Sequence, residues 1–569
     1  MTSTSVASPR VSLLTRGLVG AAAVAAAFAW DVLATLPARR VVLPGPLPPG
    51  VVLGGYHIHS TRSDGTGTPD EIAAAAARAG LRFIILTDHG NGTRVPDPPA
   101  YRHGVLVLDA AEITTSGGHV VALRTAPSPY PLAGDPRDVI EDIHRLGGRA
   151  IVAHPDSPKA ELRWTAWDAP YDGIEWLNAD SEWRDETAGH LAMTLVRSVV
   201  RGPETIASLF ARPTRTIARW DGVTRRRPVV ALAALDAHAL APWRDDGPSG
   251  HASWLSVPGY AETFGTLAQG VTIDQPLSGD AAADAGRVMD ALVAGRTFSL
   301  VQAIAGPAAL EFTAAQAAAT ATMGGHLEAA GVETTWHAAV PAAPGVRVAL
   351  LQNGREVQAG KGSVTHTGLA QPGAYRIEVS YPGVDVPWIL SNPIYVGPTV
   401  AAEPPSPAVR LPVVKPLPAV GTWTIEREPT STGEVAVEGE DLQFTFGLGA
   451  GAPAGQYAAL VSPVTGDEGF RQIEFVGRAD QPMRLSVQVR LLGGQDGRRW
   501  RRSAYLDQTP RHIVIPVADL EPTGPATTLR PTVATIRSLL FVVDTLNTRP
   551  GTRGTIWLSH VALGGSAPE

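Results

Sequence analysis

The chain has 569 residues, no cysteine and a formal net charge of −7 at pH 7. A chain of this length accommodates about three or four domains. The absence of cysteine excludes disulfides and thiolate metal ligands. The negative charge, with no basic stripe along the sequence, gives no reason to expect nucleic-acid binding.

The first 49 residues contain an apolar segment, 17–36, preceded by Arg10 and Arg16. A basic start before an apolar core is typical of a secretory signal, whereas a membrane anchor needs about 20 apolar residues. Asp31 interrupts the apolar run. We therefore expect an extracytoplasmic protein, secreted or anchored to the cytoplasmic membrane, in which residues 1–49 form a signal or membrane-anchor segment and a linker. Cleavage and retention of this segment both stay open.

Residues 50–305 alternate short apolar runs with signals for helices. The runs predict buried strands over 54–58, 83–87, 105–109, 150–153, 173–177 and 229–235, and helices over 69–80, 136–146 and 186–201. Thr68 can cap the first of these helices, and Gly80 can end it. Strands alternating with helices indicate parallel β/α units. Right-handed crossovers then place the C-terminal end of every strand on one face.

Imidazoles and carboxylates follow nearly all of these apolar runs. They are His57, His59, Asp64, His89, Glu112, His119, His154, Asp236 and His238. Such ligands, without thiolates, suit Zn, Mn or Fe. At the C-terminal ends of parallel strands they would converge at the mouth of a barrel, where such folds place their chemistry. The set is too large for one ion, so the sequence predicts a cluster of two or three divalent metal ions.

These motifs resemble those of the PHP (polymerase and histidinol phosphatase) family. The resemblance rests on His57-x-His59, Ser63-Asp64-Gly65, Thr87-Asp88-His89, Glu112, His119, His154-Pro155 and Asp236-x-His238, and it covers about the first 300 residues. It implies a distorted (β/α)7 barrel over 50–305 with a di- or trinuclear metal centre. It also implies hydrolysis of phosphomonoesters or phosphodiesters by a metal-activated water.

The resemblance also implies how the ligands divide among the ions. His57, His59, Glu112 and Asp236 would hold one ion, Glu112 would bridge to a second completed by His119 and His154, and Asp64, His89 and His238 would hold the third. Metal lowers the pKa of bound water from about 15.7 to about 7, and paired ions about 4 Å apart clamp the attacking and leaving oxygens. We expect Asp88 to orient an imidazole by accepting its N–H.

Four further residues are candidates for contact with the substrate. Lys159, Arg163 and Arg184 are cations near predicted strand ends, and cations stabilise a transferring phosphoryl group. Asn178, at the end of a strand, can donate a hydrogen bond. Asn178, Lys159 and Arg184 form the predicted catalytic set, and charges that only solvate a loop are the alternative.

From residue 306 onward, short alternating runs split by Gly and Pro predict antiparallel sandwiches. Residues 306–397 resemble Ig-like modules appended to extracytoplasmic PHP proteins, and 398–420 are typical of a semi-rigid Pro-rich linker. Residues 421–569 resemble a jelly-roll carbohydrate-binding module, although a structural role without ligand stays open. The predicted fold class is multidomain, a distorted (β/α)7 PHP barrel followed by two all-β sandwiches.

Together these features favour an exported metal-dependent phosphoesterase acting on a small-molecule or glycopolymer phosphoester. Two alternatives stay open. An amidohydrolase-type C–N hydrolase also begins with HxH on a β/α barrel, but it usually bridges its ions with a Lys, a role that falls here to Glu112. A catalytically inactive cell-surface protein that binds glycan through 421–569 would have no need of the complete ligand set.

Overall fold

The computed structural model describes residues 13–565, apart from 185, 240–257, 399–409, 422, 452–453, 465–469, 493–496 and 525–534, with side chains from residue 18. Residues 399–409 of the predicted 398–420 linker therefore lie outside the described residues, as do the first twelve residues of the predicted N-terminal segment.

The α-helices of the described chain all lie within residues 13–293. They are α1 Leu13–Ala34, α2 Pro69–Arg78, α3 Pro136–Arg145, α4 Ala179–Arg184, α5 Ala188–Ser198, α6 Gly202–Ala207, α7 Thr214–Thr224, α8 Tyr260–Phe264 and α9 Ala281–Val293. The strands of the same half are β1 Val41–Val42, β2 Val51–Tyr56, β3 Phe83–Leu86, β4 His89–Gly90, β5 Ala100–Arg102, β6 Val105–Asp109, β7 Ala111–Thr115, β8 Gly118–Leu123, β9 Arg149–Val152, β10 Gly173–Asn178, β11 Val230–Ala234, β12 Ala268–Thr272 and β13 Thr297–Leu300. The strands and helices predicted for this half are confirmed to within a few residues at each end.

Local sequence explains why α2 forms where it does. The Thr68 hydroxyl accepts from the Glu71 N–H at 3.3 Å, while the Glu71 carboxylate accepts from the Thr68 N–H at 2.9 Å. Pro69 takes the first helical position, where its missing N–H costs nothing. Ile72 is completely buried, which contributes about 1.5–3 kcal/mol. The helix ends before Gly80, whose φ of +80° favours glycine.

Two sheets surround the interior of this half. One has the order β11-β10-β9-β8-β7-β4, and the other contains β12-β2-β3-β6-β5. Backbone hydrogen bonds join them at two places: Leu235 N–H donates to Tyr56 O at 3.0 Å, and Glu112 N–H donates to Thr87 O at 3.2 Å. The ends of β2, β3, β7 and β11 are thereby brought to one region.

Strand direction departs from the prediction in two places. β2, β3 and β6 are parallel, and so are β9, β10 and β11. However, β8 is antiparallel to β7 and β9, and β12 is antiparallel to β2. The expectation of parallel β/α units throughout is wrong there. Only Ser116 and Gly117 separate β7 from β8, and so short a connection can join antiparallel strands but not parallel ones.

The second unit is built of β14 Ala305–Gly306, β15 Glu311–Gln316, β16 Ala319–Thr322, β17 His326–Leu327, β18 Glu333–Ala339, β19 Arg347–Gln352, β20 Arg355–Lys361, β21 Ser363–Leu369, β22 Gly373–Ser380, β23 Ile389–Ser391 and β24 Ile394–Val396. Strand pairing crosses the predicted boundary at 306, because β23 pairs with β13. The Asn392 amide also donates to Ala231 O and Thr297 O, each at 3.0 Å. The first two units are therefore joined by continuous hydrogen bonding.

The third unit packs two sheets face to face. Its strands are β25 Val413–Pro416, β26 Thr424–Arg427, β27 Thr432–Glu438, β28 Asp441–Gly447, β29 Tyr457–Pro463, β30 Phe470–Ala479, β31 Met483–Leu491, β32 Arg499–Leu506, β33 Arg511–Pro516, β34 Glu521–Pro522, β35 Ile536–Asp544 and β36 Arg553–Gly565. Leu485 and Val487 of β31 face the core between the sheets, while the alternate Arg484 and Ser486 face away from it. The protein is thus multidomain and rich in β-sheet.

A buried ion pair attaches the third unit to the first. The Arg484 side chain is only 1% exposed, and its Nε and Nη2 donate to the Asp142 carboxylate of α3 at 2.8 and 2.6 Å. Arg484 Nη2 also donates to Asp138 O at 2.9 Å, and the Asn547 amide donates to Pro131 O at 3.0 Å. The sheet face that carries Arg484 therefore lies against the first unit.

Helix α1 projects apolar side chains into solvent. Leu18, Phe28 and Trp30 are 65%, 50% and 74% exposed. At its end the helix is held to α5, where Arg197 donates to the Thr35 hydroxyl at 2.7 Å. In the described part of the chain, no helix combines the length and the apolar character needed to cross a membrane.

Candidate metal centre

The strand ends bring the predicted ligands together. His57 and His59 follow β2, His89 follows β3, His154 follows β9, and Asp236 follows β11. His119 lies near the start of β8, and because β8 is antiparallel its start lies at the same end of the sheet as the other ligands. His57, His154 and Asp236 have φ values of 64°, 30° and 46°. Such left-handed backbone is strained for residues other than glycine and often marks functional sites.

Glu112 lies at the centre of the group. Its Oε2 is 3.3 Å from Nε2 of both His57 and His59 and 3.2 Å from Nδ1 of His89. Its Oε1 is 2.9 Å from His119 Nδ1 and 2.8 Å from His154 Nε2. The carboxylate is 1% exposed. Each of its two oxygens faces a different set of imidazoles.

Two aspartates complete the group. Asp64 Oδ1 lies 3.2 Å from His59 Nδ1, and its Oδ2 lies 3.4 Å from His89 Nε2 and 3.3 Å from His238 Nε2. Asp236 Oδ1 lies 3.4 Å from Nε2 of His59, and it is equally close to Nε2 of His57. All nine predicted residues therefore contact at least one other member of the set.

The spacing of these atoms fits a divalent ion. The Nε2 atoms of His57 and His59 are 3.1 Å apart, and each lies 3.3 Å from Glu112 and 3.4 Å from Asp236. Ligands about 2.0–2.1 Å from a tetrahedral zinc ion are separated from one another by about 3.3 Å. Nitrogen and carboxylate donors at this spacing could hold metal ions.

The ligand atoms fall into overlapping groups. Atoms within 4.8 Å of one another come from three sets: His59, Asp64, His89 and His238; His57, His59 and Glu112; and His89, Glu112 and His119. The division implied by the PHP resemblance assigned His89 to one ion only. In the structure His89 contacts both Asp64 and Glu112, so it lies between two groups.

Opposite charges stabilise one another in the site. Burial opposes protonation of His57, but the carboxylates of Glu175, Asp236 and Glu112 outweigh it and hold its pKa well above the ordinary value. Burial likewise opposes ionisation of Glu112, yet His57 and the neighbouring imidazoles hold the pKa of this carboxyl well below its usual range. A divalent cation would therefore bind in exchange for imidazole protons.

Glu175 is a buried member of the site that sequence reasoning missed. It lies on β10, where its Oε1 accepts from His57 Nδ1 at 2.5 Å and its Oε2 accepts from the His154 N–H at 2.8 Å. With Nδ1 of His57 donating to Glu175, Nε2 is the nitrogen that faces the ligand group and would give up its proton to a bound metal ion. An acidic residue within the apolar run 173–177 was the available signal.

Asn178 lies beside Glu175 rather than in open space. Its Nδ2 donates to Glu175 Oε2 at 2.9 Å and to Asp236 Oδ2 at 3.1 Å, and its Oδ1 accepts from the Ser181 N–H at 2.9 Å. These contacts use its polar atoms within the protein. The geometry gives Asn178 a positioning role between two carboxylates in place of the predicted substrate contact.

Asp88 does not orient an imidazole directly, so that expectation is wrong. Its carboxylate accepts from the Ser60 N–H at 2.7 Å, the Ser60 hydroxyl at 2.8 Å and the Ser63 hydroxyl at 2.9 Å. The loop after His59 turns back toward the end of β3, which brings these donors closer than any ring nitrogen. Asp88 therefore holds the loop that carries Asp64.

The predicted cations differ in their surroundings. Arg163 donates to Ser157 O at 2.9 Å and so holds its own loop. Arg184 forms an ion pair with Asp180, one turn earlier on α4. Lys159 is half-buried in the loop after His154. Two of the three cations, Arg163 and Arg184, therefore have partners within the protein.

Two curated proteins resemble parts of the sequence, whereas no protein-family model matches it. A stretch of 136 residues, 23% of this chain, is 30% identical to an uncharacterised protein of Methanocaldococcus jannaschii and covers 78% of that protein. A stretch of 91 residues, 15% of this chain, is 33% identical to the 3′,5′-nucleoside bisphosphate phosphatase of Chromobacterium violaceum. It spans only 32% of that enzyme.

Among solved structures, the family 11 carbohydrate-binding module of Clostridium thermocellum is 14% identical, with 27% of this chain and 97% of the module covered at a TM-score of 0.21. A carbohydrate-binding module of family 4 is 13% identical, with 25% of this chain and 86% of that chain covered at a TM-score of 0.18. At such TM-scores neither likeness carries an argument about fold or ligand.

Proposed function

The chain belongs to the same family as the uncharacterised protein of Methanocaldococcus jannaschii, and we propose that it is a metal-dependent phosphoesterase. The observation that carries the proposal is the position of Glu112, whose two oxygens lie within 3.3 Å of five imidazoles. A buried carboxylate with this arrangement suits a bridge between two ions in a PHP-type centre. Partial similarity to a bisphosphate phosphatase points to the same chemistry.

Two or three divalent ions, Mn, Zn or Fe, would be held by the nine predicted ligands. When bound, such ions supply an acidified water and neutralise charge on the phosphoryl group. The chain's own residues fix the ligands: Glu175 orients His57, and Asn178 ties Glu175 to Asp236. Burial of these groups excludes competing water and strengthens each electrostatic contact.

The substrate side of the site is proposed to include Lys159. It is the fifth residue after His154, on the same loop. No described residue forms a hydrogen bond or ion pair with its ammonium group. A phosphate dianion near the ligands would therefore find a cation that the described protein groups leave unpaired. Monoesters and diesters both stay within the proposal.

The test combines metal analysis with substrate panels. Purified protein loaded with Mn, Zn or Fe is expected to retain at least two ions per chain and to hydrolyse phosphoesters but not amides. Glu112→Gln removes one charge without changing size and should lower both metal content and turnover by more than 100-fold. Glu474→Gln is the matched control, because Glu474 is an equally buried carboxylate in the third unit. Turnover of amides alone would make the amidohydrolase alternative correct.

We also propose export, with residues 17–36 as the signal or anchor. Exposed apolar side chains such as Trp30 along α1 support a role outside the folded body. Cell fractionation with N-terminal sequencing of the mature protein would test it. Recovery of the full-length chain in the cytoplasm alone would contradict it.

We also propose contact with a glycan through residues 421–569. The sheet face that carries Arg484 and Ser486 lies against the first unit, so a polysaccharide would need another surface. Binding of the full-length protein to cell-wall preparations would support the proposal, and absence of binding would leave a structural role for this unit.

A further inference from the structure

A cavity of about 420 Å³ opens beside His89. We call it the His89 cavity. Apolar side chains and glycines together make up more than half of its lining, among them Ala110, Ala111, Ala122 and Met289. Its volume lies within the range of about 300–1,000 Å³ typical of small-molecule sites, which are mainly apolar with a few polar groups.

The loop over this cavity is held by a buried carboxylate. The side chain of Asp109 is only 3% exposed, and it accepts from Arg94 Nη2 at 2.7 Å and from the Asp97 N–H at 2.6 Å. Asn91 O and Gly92 O accept from backbone N–H groups at 2.9 and 2.8 Å. These contacts form the cavity before any ligand binds, which lowers the entropic cost of binding.

His89 belongs both to the cavity wall and to the candidate metal centre. Its ring nitrogens lie 3.2 Å from Glu112 Oε2 and 3.4 Å from Asp64 Oδ2, and its side chain is 34% exposed. A phosphoryl group among the clustered ligands would therefore lie next to the cavity. Whatever is esterified to that phosphoryl group could extend past His89 into the apolar space.

We propose that the His89 cavity binds the organic group of the substrate, and that this group is a compact, mainly apolar ring of aryl size. The proposal rests on the phosphoesterase function proposed above. The apolar side chains of the lining offer contact to a ring. The polar side chains that also line the cavity are engaged by protein groups: Asp88 accepts from Ser60 and Ser63, Arg62 and Arg94 pair with Asp109, and Arg124 pairs with Asp290. A polyol would have to compete for these groups, so a ring is favoured.

Gly286 allows the cavity to be filled without a clash. It lines the cavity from α9, and a Cβ at this position would meet no atom within 4 Å. Gly286→Leu should therefore fold, since leucine also favours a helix interior over glycine. Gly222→Leu is the matched control: Gly222 lies in α7, has equally open space, and does not line the cavity.

The first measurement compares hydrolysis of 1-naphthyl phosphate and methyl phosphate by the full-length, metal-loaded protein. Gly286→Leu is expected to lower kcat/KM for 1-naphthyl phosphate at least tenfold and to leave methyl phosphate within twofold of wild type. Gly222→Leu should match wild type on both substrates. Equal loss on both substrates, or no loss on either, would overturn the proposal.

The second measurement is direct binding of 1-naphthol, which needs no turnover. Wild type and Gly222→Leu are expected to bind it, and Gly286→Leu to bind at least tenfold more weakly. If wild type binds 1-naphthol in this pattern but hydrolyses no phosphoester, the proposed function fails while the ring site stands. If wild type does not bind 1-naphthol, the ring site is overturned whatever the outcome for phosphoesters.

Discussion

Nδ1 of His57 lies 2.5 Å from Oε1 of Glu175, and both side chains are completely buried. This contact fixes which ring nitrogen of His57 faces the other ligands: with Nδ1 donating to Glu175, Nε2 is the nitrogen that would exchange its proton for a metal ion. The Nε2 atom is the one that lies 3.1 Å from His59 and 3.3 Å from Glu112. Glu175 therefore prepares His57 as a metal ligand.

Glu175→Gln should lower metal affinity by about 10–100-fold, the usual effect of removing a carboxylate that orients a ligating imidazole. The neutral amide accepts a weaker hydrogen bond and removes negative charge from beside His57. Competition with a chelator of known affinity measures the change. Glu333→Gln, an exposed position in the second unit, is the control. Unchanged affinity in Glu175→Gln would contradict the assigned role.

Removal of metal should destabilise the protein. A ligand present at about 100 times its Kd stabilises the folded state by about 2.7 kcal/mol, because it binds the folded state and not the unfolded chain. Thermal unfolding with and without a chelator should therefore show a lower Tm for the chelated protein. The Glu112→Gln variant should have the same Tm with and without the chelator. If the chelator lowers the Tm of this variant as much as that of wild type, the metal does not bind at this site.

Arg484→Met should lower the free energy of unfolding by about 3 kcal/mol, the low end of the cost of removing one partner of a buried ion pair. The two carboxylates that lose Arg484, Asp142 and Asp138 of α3, each keep one other arginine, Arg145 and Arg502 respectively. Urea unfolding, with limited proteolysis between the first and third units, measures the effect. Arg471→Met removes an exposed arginine of the same unit and should change little. A similar small change in Arg484→Met would mean that the ion pair does not hold the units together.

Stability should depend on pH through Glu378. Burial raises the pKa of this carboxyl, but Arg212 and Arg376 outweigh burial and hold it below its ordinary value of about 4.5. A lowered carboxyl pKa gives stability that is present above the unfolded value and lost as pH falls through the folded value. Glu378→Gln should therefore lower Tm relative to wild type above about pH 5, with the difference shrinking at lower pH. A difference that stays constant down to pH 3 would contradict this.

Lys159→Ala should lower kcat/KM for phosphoesters by about tenfold, because it removes a cation available to the phosphoryl group. Metal content should stay at the wild-type value, since Lys159 is not a ligand. Arg163→Ala is a useful comparison, because Arg163 already donates to Ser157 O and should affect stability more than turnover. Full activity in Lys159→Ala would remove this residue from the substrate site.

Local patterns determined much of the architecture. The run 105–109 predicted β6, and Thr68, Pro69 and Gly80 predicted both ends of α2, since strand alternation and helix caps depend on residues only a few positions apart. The sequence also singled out nine residues that the structure brings into one group. Their order after successive apolar runs carried that prediction, because neighbouring strands of a sheet end on a common edge.

Pairings between distant residues were decided only by the tertiary structure. Glu175 is 118 positions from His57, and Arg484 is 342 positions from Asp142, so no local pattern connects either pair. In the sequence Glu175 is the one charge of an apolar run, and Arg484 is one of the polar residues on an alternating strand, which is equally consistent with an exposed face. The direction of β8 and the shape of the His89 cavity also depend on which strands and helices pack against one another. That packing is set by the free energy of the whole chain, which no single segment determines.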